Sequence, residues 1–203
     1  MKKRNVIITI AGLLFLYPIV VSLWLSHQNK SYSNFSNACR GGSIKSIKKF
    51  LKKGYDINKK RYPNGPTPFM KAAKCGNVAI VKFLIKKGAK INLSCAGNTT
   101  ALFMACDTDK ENGVIKVLLN NGAKHIASDG FTPLMMAVAR ENLYNVEQIL
   151  IYCKDLKINE KSESGKTALD VAHEKLRYTK DKNNLELIIE NLKDKGAKLN
   201  KYK

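Results

Sequence analysis

The sequence is poor in the residues that carry out chemistry. It has three histidines, one tryptophan, and 16 acidic residues against 36 basic ones. His27, His125 and His173 are too far apart in the chain to form a metal pair by spacing, so they read as solvated or helix-end side chains. The acids fall singly and there is no G-x-S-x-G nucleophile elbow. Ser164-Gly165-Lys166-Thr167 imitates the end of a phosphate-binding loop, but Glu160 stands where that loop needs its first glycine. The five cysteines (Cys39, Cys75, Cys95, Cys106 and Cys153) are odd in number and include no C-x-x-C pair. That excludes a closed disulfide framework and leaves small, apolar, mainly buried residues as their reading. These shortages argue against an enzyme, and no catalytic, metal-binding or cofactor-binding residue is expected.

The shortage of acids leaves a formal net charge of +20 on 203 residues, of which 44% are hydrophobic. An apolar fraction of that size suits a folded domain. The first 31 residues hold Lys2, Lys3, Arg4 and Lys30 and no acid, so the remainder still carries +16. A field of that sign draws acidic proteins or anionic surfaces. Nucleic acid is not expected, because the basic residues lack interleaved aromatics on which bases would stack. The lysine clusters Lys48-Lys49, Lys52-Lys53, Lys59-Lys60-Arg61 and Lys86-Lys87 fall early in the chain, which predicts one strongly positive end.

Behind Lys2-Lys3-Arg4 runs an uncharged stretch from Val6 to Leu25. As a helix it would be roughly 30 Å long, enough to cross the hydrocarbon core of a bilayer. Basic residues ahead of it predict a cytoplasmic N-terminus and an exported C-terminal domain. Residues 1–31 thus read as a signal anchor with Trp24 at the interface, or as a signal peptide cut near Val20-Val21-Ser22. The expected location is membrane-anchored with the domain periplasmic, or free in the periplasm if the leader is removed.

From about residue 32 the chain repeats itself. Ala38 and Ala72, Gly42 and Gly76, Gly54 and Gly88, and Asn58 and Asn92 are each separated by 34. Thr67-Pro68-Phe69 recurs as Thr100-Ala101-Leu102, Thr132-Pro133-Leu134 and Thr167-Ala168-Leu169; Gly88-Ala89 recurs as Gly122-Ala123 and Gly196-Ala197. In Thr67-Pro68 the threonine can cap a helix that the proline starts without wasting a donor. Apolar residues at i, i+3, i+4 line one face, and a glycine stops the second helix. Such a unit cannot bury its apolar face alone and must stack. Five units are expected, at about 32–64, 65–96, 97–128, 129–161 and 162–200, with YSNFSNACRGG as a polar opening to the first.

A period near 33 with a T-P-L start and a closing L-L-x-x-G-A resembles ankyrin repeats. The resemblance implies an all-α solenoid of helix-turn-helix units with short β-hairpin loops, here preceded by one hydrophobic helix. The histidine common in the family's T-P-L-H motif is replaced by Met70, Phe103, Met135 and Asp170, so packing is expected to stand in for its hydrogen bonds. By register, the family's contact surface falls on the loop tips Tyr62, Asn64, Pro66, Thr99, Asp129, Phe131, Glu163 and Lys166. It continues on the inner-helix ends Arg40, Lys74, Cys75, Asp107, Thr108 and Arg140. Tyr62, Phe131, Arg40 and Arg140 are the expected anchors, since aromatic and arginine side chains dominate interface energetics. The expected function is binding and regulation of an acidic protein partner in the envelope by a monomeric module, by analogy with immunity or accessory proteins. The alternative is a basic module lying on anionic lipid or envelope polymer.

Overall fold

The computed structural model describes residues 17, 18, 20–23, 27, 30–60, 62–180 and 182–200. The apolar run at 6–25 falls mostly outside them, and among the described residues no helix is long and apolar enough to cross a membrane. Residues 30–41 are helical (α1). After them come α2 (Ile44–Lys52), α3 (Pro68–Lys74), α4 (Val78–Lys86), α5 (Ala101–Cys106), α6 (Val114–Asn120), α7 (Pro133–Ala139), α8 (Leu143–Tyr152), α9 (Ala168–Leu176) and α10 (Asn183–Asp194).

The elements come in pairs because the same start and stop signals recur. Thr67, Thr100, Thr132 and Thr167 are buried and each accepts the N–H three residues on, at 3.2–3.3 Å. Asn77 and Asn142 do the same for α4 and α8. Helices α3, α5, α7 and α9 pack side by side as an inner row, and α4, α6, α8 and α10 as an outer row. Ala72, Ala73, Ala101, Ala105, Ala137, Ala168 and Ala172 are buried between them, and their small side chains let the backbones approach closely. Leu84, Leu118, Ile149 and Leu192 fill the space under the outer row.

The first pair closes the end of the stack differently from the polar cap expected. Tyr32, Phe35, Ser36 and Cys39 of α1 are buried, and the rings of Tyr32, Phe35, Phe50 and Tyr55 pack with centroids 5.2–6.1 Å apart. The Tyr32 hydroxyl lies 2.6 Å from the carbonyl of Asp56 and 2.5 Å from that of Lys59, tying α1 to the turn after α2. An aromatic knot thus replaces the missing Thr-Pro start. The hairpin loops are also slighter than expected. Among the described residues they contribute two isolated bridges, Ser94 with Thr100 and Ser128 with Phe131, and no strand. Asp129-Gly130 makes a two-residue hairpin turn with both φ angles positive, at 47° and 71°, but Thr132 caps α7 directly after Phe131 and leaves no length for a ladder.

Asparagines link the turns that follow the outer helices. Asn58 donates to the Gly88 carbonyl at 3.1 Å and accepts the Lys90 N–H at 2.8 Å. Asn92 makes the same pair with Gly122 and Lys124 (2.8 and 2.9 Å), and Asn159 with Gly196 and Lys198 (3.1 and 2.6 Å). Each carboxamide reproduces a two-bond backbone pairing between neighbouring units. Urea titration is expected to show Asn92→Ala less stable by about 1 kcal/mol, the net worth of such exposed bonds. The fully buried Leu118, truncated to alanine, should lose about 2–5 kcal/mol.

Candidate partner-binding surface

The inner helices end one above another, and their last side chains form a ladder of charge. Lys74 ends α3, Asp107 caps α5 and Arg140 caps α7, each 33 residues from the next. Lys74 Nζ lies 2.9 Å from one Asp107 oxygen; Arg140 donates to the other through Nε at 2.8 Å and through Nη2. Partial burial opposes charge on Asp107, but hydrogen bonds and positive charge from Lys74 and Arg140 outweigh it and hold the carboxyl below its usual range. Three of the residues expected to meet a partner therefore meet one another first. Arg40, exposed at the end of α1, has no acid in this ladder.

The loop tips form a parallel row joined through the backbone. Ala96 N–H donates to the Asn64 carbonyl and Asp129 N–H to the Gly97 carbonyl, both at 3.0 Å. Thr99 shares a hydroxyl hydrogen bond with Ser128 at 2.8 Å. Tyr62 stands out at 55% exposed, with Asn64 beside it and Pro66 half-buried. Phe131, expected as an anchor, is half-buried and packs against the core, so only part of its ring is offered outward. Lys166 pairs with Glu174, while Glu163 is exposed beside Gly130. Thr108 is committed through its carbonyl, which accepts from Asn142 and Asn145 at 3.3 and 3.2 Å and anchors the longer loop of the third unit. Cys75 is half-buried and its carbonyl accepts from Lys110.

The residues in place of the family's usual histidine behave in two ways. Met70, Phe103 and Met135 are buried and pack, as expected, and Met70 Sδ also accepts the Thr67 N–H at 3.4 Å. Asp170 instead bonds, accepting from Thr167 N–H at 2.8 Å and from Asn200 N–H at 3.1 Å.

Residues 35–129 match the family model described as ankyrin repeats (3 copies). This stretch carries ankyrin repeats. No curated protein matches the chain. Helices α7 to α10 continue the paired stacking beyond the matched residues. Ankyrin repeats are general protein–protein interaction modules and are typically non-enzymatic.

His125 is not the solvated or helix-end group the sequence suggested, whereas His173 does lie in the last turn of α9. The side chain of His125 is 3% exposed, and its Nε2 accepts the Leu134 N–H at 3.2 Å, which places the ring's proton on Nδ1. His173 Nε2 is buried without a hydrogen-bond partner. Spacing could not reveal either, because their burial depends on what packs over them from elsewhere in the chain. Burial also pushes the Cys39 thiol up to about 12 and raises those of Cys106 and Cys153, which opposes thiolate chemistry.

These environments set two measurable responses. Asp107→Asn is expected to cost about 1 kcal/mol at low salt and less as salt is added, since the pairs are half-exposed. Chemical denaturation at each ionic strength reads this directly. Burial depresses His125 from 6.5 to about 4, so between those values the unfolded chain binds more protons than the folded one. Stability present above pH 6.5 is therefore lost as pH falls towards 4, by up to about 3 kcal/mol. His125→Gln should flatten that part of the pH–stability curve.

Proposed function

We propose that this stack of repeats is a non-enzymatic binding module, exported behind the apolar leader at 6–25, that grips an acidic protein partner in the bacterial envelope. It regulates that partner by covering it, in the manner of an immunity or accessory protein. One observation carries the acidic partner: within residues 30–106, Asp56 is the only acid, against 16 lysines and arginines. From Asp107 onward the signs nearly balance, with 17 lysines and arginines against 15 acids. The positive end therefore lies on the first two units, where Arg40, Tyr62 and Asn64 are exposed together with Lys74. Where acids reappear, they neutralise the inner ridge, as Asp107 does for Arg140.

A second reading rests on the outer row. Lys45, Lys48, Lys49 and Lys52 of α2 and Lys82 and Lys86 of α4 are exposed on helices away from the inner ridge, where a sheet of anionic lipid or polymer could lie against them. The two readings separate by charge reversal in the full-length, detergent-solubilised protein. Under the leading one, a stoichiometric protein partner is captured by the wild type and lost with Arg40→Glu plus Tyr62→Ala, while Lys48→Glu plus Lys49→Glu retains it. Capture that fails to respond to the first pair, with loss of anionic-vesicle binding in the second, would favour lipid. A reporter that is active only outside the cytoplasm, fused after residue 203, should be active; silence would remove export from the proposal.

A further inference from the structure

The asparagine links between turns are interrupted once. Asn58, Asn92 and Asn159 each bridge a carbonyl and an N–H of the following turn, but the residue in their place after α6 is Ile126. The turn that Ile126 faces is altered as well. Helices α2, α4, α6 and α10 are followed by Gly54, Gly88, Gly122 and Gly196 with φ of 80–87°, whereas α8 leaves through Cys153 with extended backbone at φ −82° and ψ 106°. Asn159 lies six residues beyond that cap, where Asn92 lies five beyond Lys87. By register with Lys157-Ile158-Asn159 against Lys90-Ile91-Asn92, the groups awaiting a carboxamide are the carbonyl of Asp155 and the N–H of Lys157. Among the described residues neither has a hydrogen-bond partner.

At this position the turn after α6 and the turn after α8 stand apart and enclose a pocket of about 760 Å³. His125, Ile126, Tyr152, Asp155, Lys157 and Glu160 are among its lining residues. His125 Nδ1, a donor because Nε2 accepts from Leu134, is buried with no hydrogen-bond partner. The carboxylate of Glu160 has its Oε2 3.7 Å away, beyond bonding distance. A donor left in that state is costly, which makes the site receptive to an outside acceptor. The residues around the pocket thus carry N–H donors at His125 and Lys157 and acceptors at Asp155 and Glu160, the His125 donor lying buried beneath the surface. Lysines at 124, 154 and 157 stand against acids at 155 and 160, so no strong net field selects an ion.

We propose that this pocket binds a primary carboxamide, which takes the place of the absent asparagine side chain. Its oxygen accepts from Lys157 N–H or His125 Nδ1–H, and its NH₂ donates to the Asp155 carbonyl and the Glu160 carboxylate. The amide is carried either by a glutamine or asparagine of a peptide or by a free small molecule.

The test is an NMR titration of the full-length, ¹⁵N-labelled protein in non-ionic detergent. Propionamide and N-acetylglutamine methylamide are expected to give saturable shifts of the Lys157 amide and the His125 ring nitrogens, in the millimolar range. Tighter saturation by the peptide-borne amide identifies a peptide ligand, and tighter saturation by propionamide a free one. Ile126→Asn, which supplies the carboxamide from within, should abolish those shifts, and Glu160→Ala at the exposed edge should weaken them several-fold. Equal shifts with propionate or with N-methylpropionamide, or none with either primary amide, would overturn the proposal. The wild-type comparison of these probes decides the matter even if Ile126→Asn does not fold.

Discussion

Close stacking of one helical hairpin on the next is the constraint from which the rest of the molecule follows. A single pair of short helices cannot hide its apolar side, and only a neighbour whose inner helix is faced with alanine can come near enough to cover it. The buried alanines of α3, α5, α7 and α9 are thus the condition for everything outside the core. Once they set the spacing between units, the threonine caps, the asparagine links and the loop tips must all recur at that same interval. Stability is then passed from neighbour to neighbour, and both ends need closing. At the first end the aromatic knot around Phe35 does this, and at the last the longer helix α10 covers α9.

The same spacing gives the surface its character. Inner-helix ends 33 residues apart in sequence become adjacent in space, so Lys74, Asp107 and Arg140 neutralise one another although nothing in their local sequence pairs them. The ridge is therefore preorganised, with its cations held in place by Asp107. Excess positive charge is concentrated in the first two units, because the chain supplies almost no acid there. Charge distribution, more than any single side chain, separates one end of this stack from the other.

Irregularity is informative in so repetitive a molecule. Where Ile126 replaces the linking asparagine, the partner turn is also longer and lacks its glycine, and a histidine is buried with a free donor. Each departure alone would be a local variation. Together they place unsatisfied polar groups around one pocket, while the neighbouring links satisfy the equivalent groups internally.

The order and pairing of the helices were legible from the sequence, because caps, glycine stops and alanine faces act over a few residues and repeat visibly. Thr67, Thr100, Thr132 and Thr167 announce their helices, and Gly88 and Gly122 end theirs, by local backbone chemistry alone. The repetition of Asn58 and Asn92 was equally visible, but its purpose was not, since each asparagine bonds a turn some 30 residues away. Neither the burial of His125 nor the mutual pairing of Lys74, Asp107 and Arg140 could be read before the units were stacked. Sequence determined what each unit is, because those signals are local; tertiary structure decided which side chains are already engaged, because that depends on distance across units.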